Sequence, residues 1–200
     1  MAKKKAAKPT TTTIFQFKIT LLESKPPIWR RIQVPERTLD QLHEHIQTVM
    51  GWTNSHLHEF EIGGERYGDP DLLGDEFEEF DGENSRVVRI SQVVGRRRKG
   101  FRFSYLYDFG DGWRHGVLFE GTVAAEPKTK YPVCVDGQRA CPPEDSGGPW
   151  GYAGLLEALA DPKHEEHDSM REWAGDYDPD GFSTTDATRL MRRGLPDWRD

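Results

Sequence analysis

YDFGDGWRHGVLFE, residues 107–120, sets a Gly-Asp-Gly turn between two runs in which large apolar side chains alternate with polar ones. Phe103, Tyr105 and Tyr107 lead into the turn; Trp113, His115, Val117 and Phe119 lead out of it. Alternation of this kind specifies a half-buried β-hairpin. Two registers compete. A two-residue Asp111–Gly112 turn sets Asp108 opposite His115, an acid–base-like pair. A three-residue loop, Gly110–Asp111–Gly112, with Gly112 left-handed, pairs Phe109 with Trp113, Tyr107 with His115, Tyr105 with Val117 and Phe103 with Phe119. The second register gathers the rings on one face and leaves Arg102, Ser104, Asp108, Arg114 and Glu120 on the other. Burial of one face dictates register. Splitting the rings would forfeit several kcal/mol at ~25 cal/mol per Å² of apolar area, so the three-residue loop is expected. His115 then lies neutral among aromatic rings, sharing a proton with Tyr107, and Asp108 pairs with Arg114. Asp111 is a turn residue.

Outward from the hairpin, Thr13 to Leu22 alternates as a half-buried strand, and Ile28 to Val34 is a second strand after the SKPP turn. Thr38 and Gln41 form a T-x-x-Q capping box before a helix whose apolar face is Leu39, Leu42, Ile46, Val49 and Met50, ending at Gly51. On that helix His43 and His45 are expected at the surface. His56 to Ile62 alternates again, with a short piece at Arg66-Tyr67 to pair with it. Asp69 to Ser85 is acidic enough to read as an exposed excursion. Arg86 to Val94 reads as a short strand, with or without a following helical turn. Glu126 to Trp150, rich in Pro and Gly, predicts little regular structure. Three helices are expected after it, over about 152–193: one from Tyr152 to Ala160, one starting at the Asp161-Pro162 cap and stopping at Gly175, and one from the Ser183/Asp186 cap to Gly194.

The net charge is -7, but its sign is patchy. Positive charge gathers in residues 1–12, read as a disordered basic tail, and in Arg96 to Lys99, whereas Asp69–Glu83 and Cys141–Ala187 are strongly acidic. Phosphate-tracking surfaces need clustered Lys and Arg, so nucleic-acid binding by the acidic body is not expected. No apolar run spans a bilayer, and the tail lacks a signal-peptide core. A cytoplasmic location is therefore expected. Cys134 and Cys141 are read as thiols, since a structural zinc site needs four ligands.

Chemistry-bearing residues fall in three further places. His56 and His58 on one strand face could share a metal with a third ligand. Asp176 to Ala187 starts like an EF-hand loop, but its twelfth position is Ala187 rather than Glu, so an acidic loop ahead of a capped helix is the better reading. PPEDSGGPWGY, residues 142–152, combines a stiff Pro142-Pro143 base, the carboxylates of Glu144 and Asp145, and a Gly147-Gly148 pair that permits close backbone approach. Phosphate-loop and nucleophile-elbow motifs are absent.

Together, YLYDFGDGWRHGVLFE and YPVCVDGQRACPPEDSGGPWGY, with HLHEF at 56–60 and WAGDYDPDGFS at 173–183, resemble the plasmid pRiA4b ORF-3-like family over roughly residues 13–192. The resemblance implies an α+β fold and a passenger protein of plasmids and insertion elements. It singles out Asp108, Gly110, Asp111, Trp113, His115, Glu120, Pro143, Glu144, Asp145, Gly147 and Gly148. Ser146 stands where other members can carry cysteine, which counts against shared thiol chemistry. The resolvase-like label of some members finds no recombinase arrangement here.

The expectation is one α+β domain over 13–200: an antiparallel or mixed sheet, β-grasp-like in its N-terminal half, with a central β-hairpin and a helical C-terminal segment. The 142–152 loop is expected to pack across the Trp113–His115 end of the hairpin. Their groove, lined by Tyr107, Asp108, Asp111, Trp113, His115, Glu120, Pro143, Glu144, Asp145, Gly147 and Gly148, would serve a non-catalytic binding module for a protein or small ligand, without a cofactor. The alternative is a divalent-metal-dependent hydrolase or nuclease drawing on Asp108, His115, Glu120, Glu144 and Asp145.

Overall fold

The computed structural model describes residues 12–76, 80–95 and 97–195, excepting the side chains of 74–76. The expected basic tail, apart from Thr12, and Arg96 of the basic cluster lie outside the described residues.

Eight strands form one mixed sheet in the order β5-β4-β3-β6-β7-β1-β2-β8. They are β1 (Thr13–Leu21), β2 (Ile28–Pro35), β3 (His58–Ile62), β4 (Glu65–Gly68), β5 (Glu83–Asn84), β6 (Arg102–Tyr107), β7 (Trp113–Ala124) and β8 (Val133–Gln138). All pairings are antiparallel except β4 with β5. The strand–strand–helix–strand order of the N-terminal half holds along the chain. In the sheet, the β6–β7 hairpin stands in the middle, between β3 and β1.

Period-two alternation decides the inner face. Phe17, Ile19 and Leu21 of β1, Ile28, Ile32 and Val34 of β2, Phe60 of β3, Tyr105 and Tyr107 of β6, and Trp113, His115 and Val117 of β7 are all buried there. Helix α1 (Leu39–Met50) adds Leu42, Ile46 and Val49 to the same core. Its Thr38/Gln41 capping box forms as expected, and Gly51 closes it in the left-handed conformation. The outward face carries Gln16, Lys18, Arg31, Gln33 and Glu120, linked by Arg31–Glu120, Gln16–Glu120 and Gln33–Gln16 contacts.

Several expectations are corrected. The acidic stretch holds α2 (Pro70–Glu76) and β5, and it buries Asp69, Leu73 and Ser85, with Asp69 paired to Arg86. Residues 90–94 form α3, Ile90–Val94. The Pro-rich stretch contains β8, whose edge is capped by a side chain: the Cys134 N–H donates to Thr188 Oγ1, which donates back to Cys134 O. That hydroxyl satisfies backbone groups an edge strand would leave open. Helix α4 (Gly148–Ala160) starts earlier than expected, and α5 (His167–Ala174) starts later, because 161–166 form turns instead of following the Asp161-Pro162 cap. Helix α6 (Thr184–Arg193) has Ser183 as its expected N-cap. His43 and His45, expected at the surface, are buried. Both cysteines are free and buried. Among the described residues no helix is long and apolar enough to cross a membrane.

Candidate functional site

The β6–β7 register differs by two from the expected one: Tyr107 pairs with Trp113 and Tyr105 with His115. Asp108 is the cause. It leaves the strand in the left-handed conformation (φ 56°), and its Oδ1 accepts from the N–H groups of Gly110 (2.9 Å) and Asp111 (3.2 Å). An aspartate satisfying the loop's own amides ends β6 two residues early, at Tyr107. A shift of two preserves the faces, so the rings still gather inward. Asp108 does not pair with Arg114; it is tied into the loop it begins.

Two other segments close on this tip. In the first, Trp52 donates its Nε1–H to Pro142 O (3.0 Å) and lies against Tyr107, with ring centroids 4.9 Å apart. In the second, Glu144 accepts from Thr53 N (2.9 Å) and from the Tyr107 hydroxyl (3.0 Å). Burial and the Glu144 carboxylate push the Tyr107 phenol above its ordinary pKa, so it stays a donor. Gly147 donates its N–H to Asp111 Oδ2 (3.1 Å). Gly148 (φ 66°) meets the hairpin directly: a Cβ there would lie 2.4 Å from Asp111 O. The 142–152 loop is thus clamped onto the tip rather than separated from it by a groove at this point, and only glycine fits. Pro143 is half-buried at the base of the loop.

What the clamp brings together is His56, Asp108 and Asp145. His56 Nε2 stands 3.0 Å from Asp145 Oδ1 and 3.6 Å from Asp108 Oδ2. One ligand-type atom from each of the three lies within 4.8 Å of the others. The side chains grade from 9% exposed at Asp108, through 31% at His56, to 75% at Asp145.

The other candidates lie elsewhere. Glu120 is on the outward face, paired with Arg31. His115 is fully buried, edge-on to Trp52 at 5.3 Å and near Tyr105 at 5.2 Å, and neither ring nitrogen has a hydrogen-bond partner. Burial pushes its pKa down to about 4, the nearby backbone of Tyr105 and Trp113 offsetting only part of this. It shares no proton with Tyr107. His56 and His58 do not share a face, because β3 begins only at His58. His58 instead stacks on His43 at 3.4 Å. His43 is held between Tyr105 OH (2.8 Å, at Nδ1) and Asn54 Oδ1 (2.7 Å, at Nε2). An amide oxygen only accepts, so this network places the His43 proton on Nε2. Gln47 completes it, donating to Tyr105 OH and accepting from Asn54 N. Sequence reasoning missed Trp52, Thr53 and Asn54. The loop turning at Asn54 (φ 61°) carries His56 to the tip, and no spacing in the sequence signals that meeting.

A helix-backed mixed sheet, with two loops clamped on one hairpin tip and a histidine–carboxylate corner between them, defines the class: an α+β protein built around a central hairpin. The chain belongs to the family described as "Plasmid pRiA4b ORF-3-like protein", which residues 13–186 match. It is 43% identical over 169 residues to "Uncharacterized protein y4hQ" of Sinorhizobium fredii, covering 84% of each chain. It is also similar to the crystal structure of "Protein of Unknown Function MM3350" from Methanosarcina mazei Go1, with a TM-score of 0.79 and 37% identity over 88% of this chain and 98% of that one.

Proposed function

We propose that the protein is a non-catalytic binding module, an accessory protein of a mobile element, that recognises its partner with the rim formed by the hairpin tip and the 142–152 loop. One observation carries the reading: Trp150, 89% exposed, stands in the first turn of α4, inside the clamped 142–152 segment. A bare tryptophan on a rigid base is the residue type that anchors interfaces. The catalytic candidates support the same reading, since His115 is out of reach of Asp108, Glu144 and Asp145. The family's plasmid designation supports the mobile-element setting. A protein or small ligand suits this acidic rim better than nucleic acid does. Pull-down with the full chain and with a Trp150→Ala/Asp145→Asn variant tests it. A partner held by the first and lost by the second is expected; recovery of nothing specific, or equal recovery by both, overturns it.

A second reading, a metal-dependent hydrolase or nuclease, is favoured by the meeting of His56, Asp108 and Asp145 on an open side of the tip. Hydrolysis of a chromogenic phosphodiester with Mn²⁺, lost in Asp108→Asn, is its expected sign. The absence of turnover removes it.

A further inference from the structure

The corner at the hairpin tip has an electrostatic feature that the binding reading leaves unused. Asp108 is about nine-tenths buried at its side chain, and its two carboxylate oxygens are engaged differently. Oδ1 takes the Gly110 and Asp111 N–H groups; Oδ2 makes no hydrogen bond and points at His56 from 3.6 Å. Asp145 Oδ1 meets the same His56 Nε2 at 3.0 Å, and Glu144 beside it is engaged by Thr53 and Tyr107. No Lys or Arg among the described residues pairs with Asp108, Glu144 or Asp145. The corner therefore concentrates negative charge around one imidazole.

We propose that His56 Nε2, Asp108 Oδ2 and Asp145 Oδ1 are protein ligands of a divalent transition-metal site. One nitrogen and two carboxylate oxygens suit Zn²⁺ or Mn²⁺. Three protein ligands leave coordination positions open toward solvent, on the side where Asp145 is exposed. The ligands are oriented from behind. The loop amides fix the Asp108 carboxylate, and the Asp111–Gly147 contact fixes the loop that presents Asp145. The proposal does not rest on the binding-module reading, because occupancy is measured on the chain alone.

Calorimetric titration of the metal-stripped full chain with Zn²⁺, and electron paramagnetic resonance with Mn²⁺, provide the test. Binding of one ion per chain is expected, weakened about tenfold or more in Asp108→Asn and in His56→Ala. Asn keeps the oxygen that caps the loop, and His56 is partly exposed. Unchanged melting temperatures in chelator would therefore show that both variants fold. Asp178→Asn, in the acidic loop before α6, should bind as the unaltered chain does. No binding by the unaltered chain, equal binding by all variants, or loss in Asp178→Asn alone would overturn the assignment.

Discussion

His56 and His115 lie near the same hairpin tip in opposite surroundings. His115 points inward, among Trp52, Tyr105 and Trp113, with no carboxylate and no hydrogen bond. His56 points outward, between Asp108 and Asp145. The residue type is the same; strand parity and loop path make one a packing group and the other a ligand candidate. His115 is the histidine that the hairpin motif advertises, and the structure gives the polar surroundings to the other one.

The largest effect that would sharpen this contrast is on acid stability. The pKa values of His115 and His45 are both pushed down to about 4 by burial, His45 also by the Arg37 charge. Above pH 6.5 both are neutral folded and unfolded, and neither affects stability. Between pH 6.5 and about 4 the unfolded chain takes up protons that the folded chain refuses, so stability falls as pH falls and levels off below. The loss is about 3 kcal/mol for each group at most. Urea unfolding from pH 7.5 to 4 should show this slope, and His115→Leu should remove about half of it. Since the imidazole has no partner to lose, His115→Leu should not destabilise at pH 7.5. An equal slope in both proteins would break the contrast.

Gly148→Ala comes next. A Cβ pressed to within 2.4 Å of Asp111 O, at φ 66°, must push the clamped loop off the tip. A loss of about 3 kcal/mol is expected, read as a fall in Tm of roughly 6–12 °C. Glu144→Gln should cost about 1–2 kcal/mol, because it weakens charge-assisted bonds from Thr53 and Tyr107. The smallest effect belongs to Trp150→Ala. So exposed a side chain should change chemical-denaturation stability by under about 0.5 kcal/mol, while partner binding is lost.

Faces were legible in the sequence and contacts between loops were not. Alternation in β1, β2, β6 and β7 identifies the inward residues even though the hairpin register is off by two, because parity survives that shift. Hydrophobic periodicity marks the apolar stripe of α1 but is blind to His43 and Gln47, buried through hydrogen bonds to Tyr105 and Asn54 rather than through apolarity. Arg30 escapes it in the same way. It alternates inward on β2, fully buried, bonded to the carbonyls of Val49 and Gln138 and stacked on Phe182 at 3.9 Å. The PPED segment announces its stiffness and its glycines, and it does reach the hairpin tip. That it brings Asp145 to His56 depends on three separate loop paths, which no single stretch of sequence encodes.

The central claim is that the polar chemistry of the tip belongs to His56 and not to the core histidines. Long-range ¹H–¹⁵N spectra of the histidine side chains, recorded before and after one equivalent of Zn²⁺, test it most directly. The account predicts that the His56 Nε2 resonance moves while those of His43, His58 and His115 stay in place. Movement of His115 with His56 unchanged would contradict it.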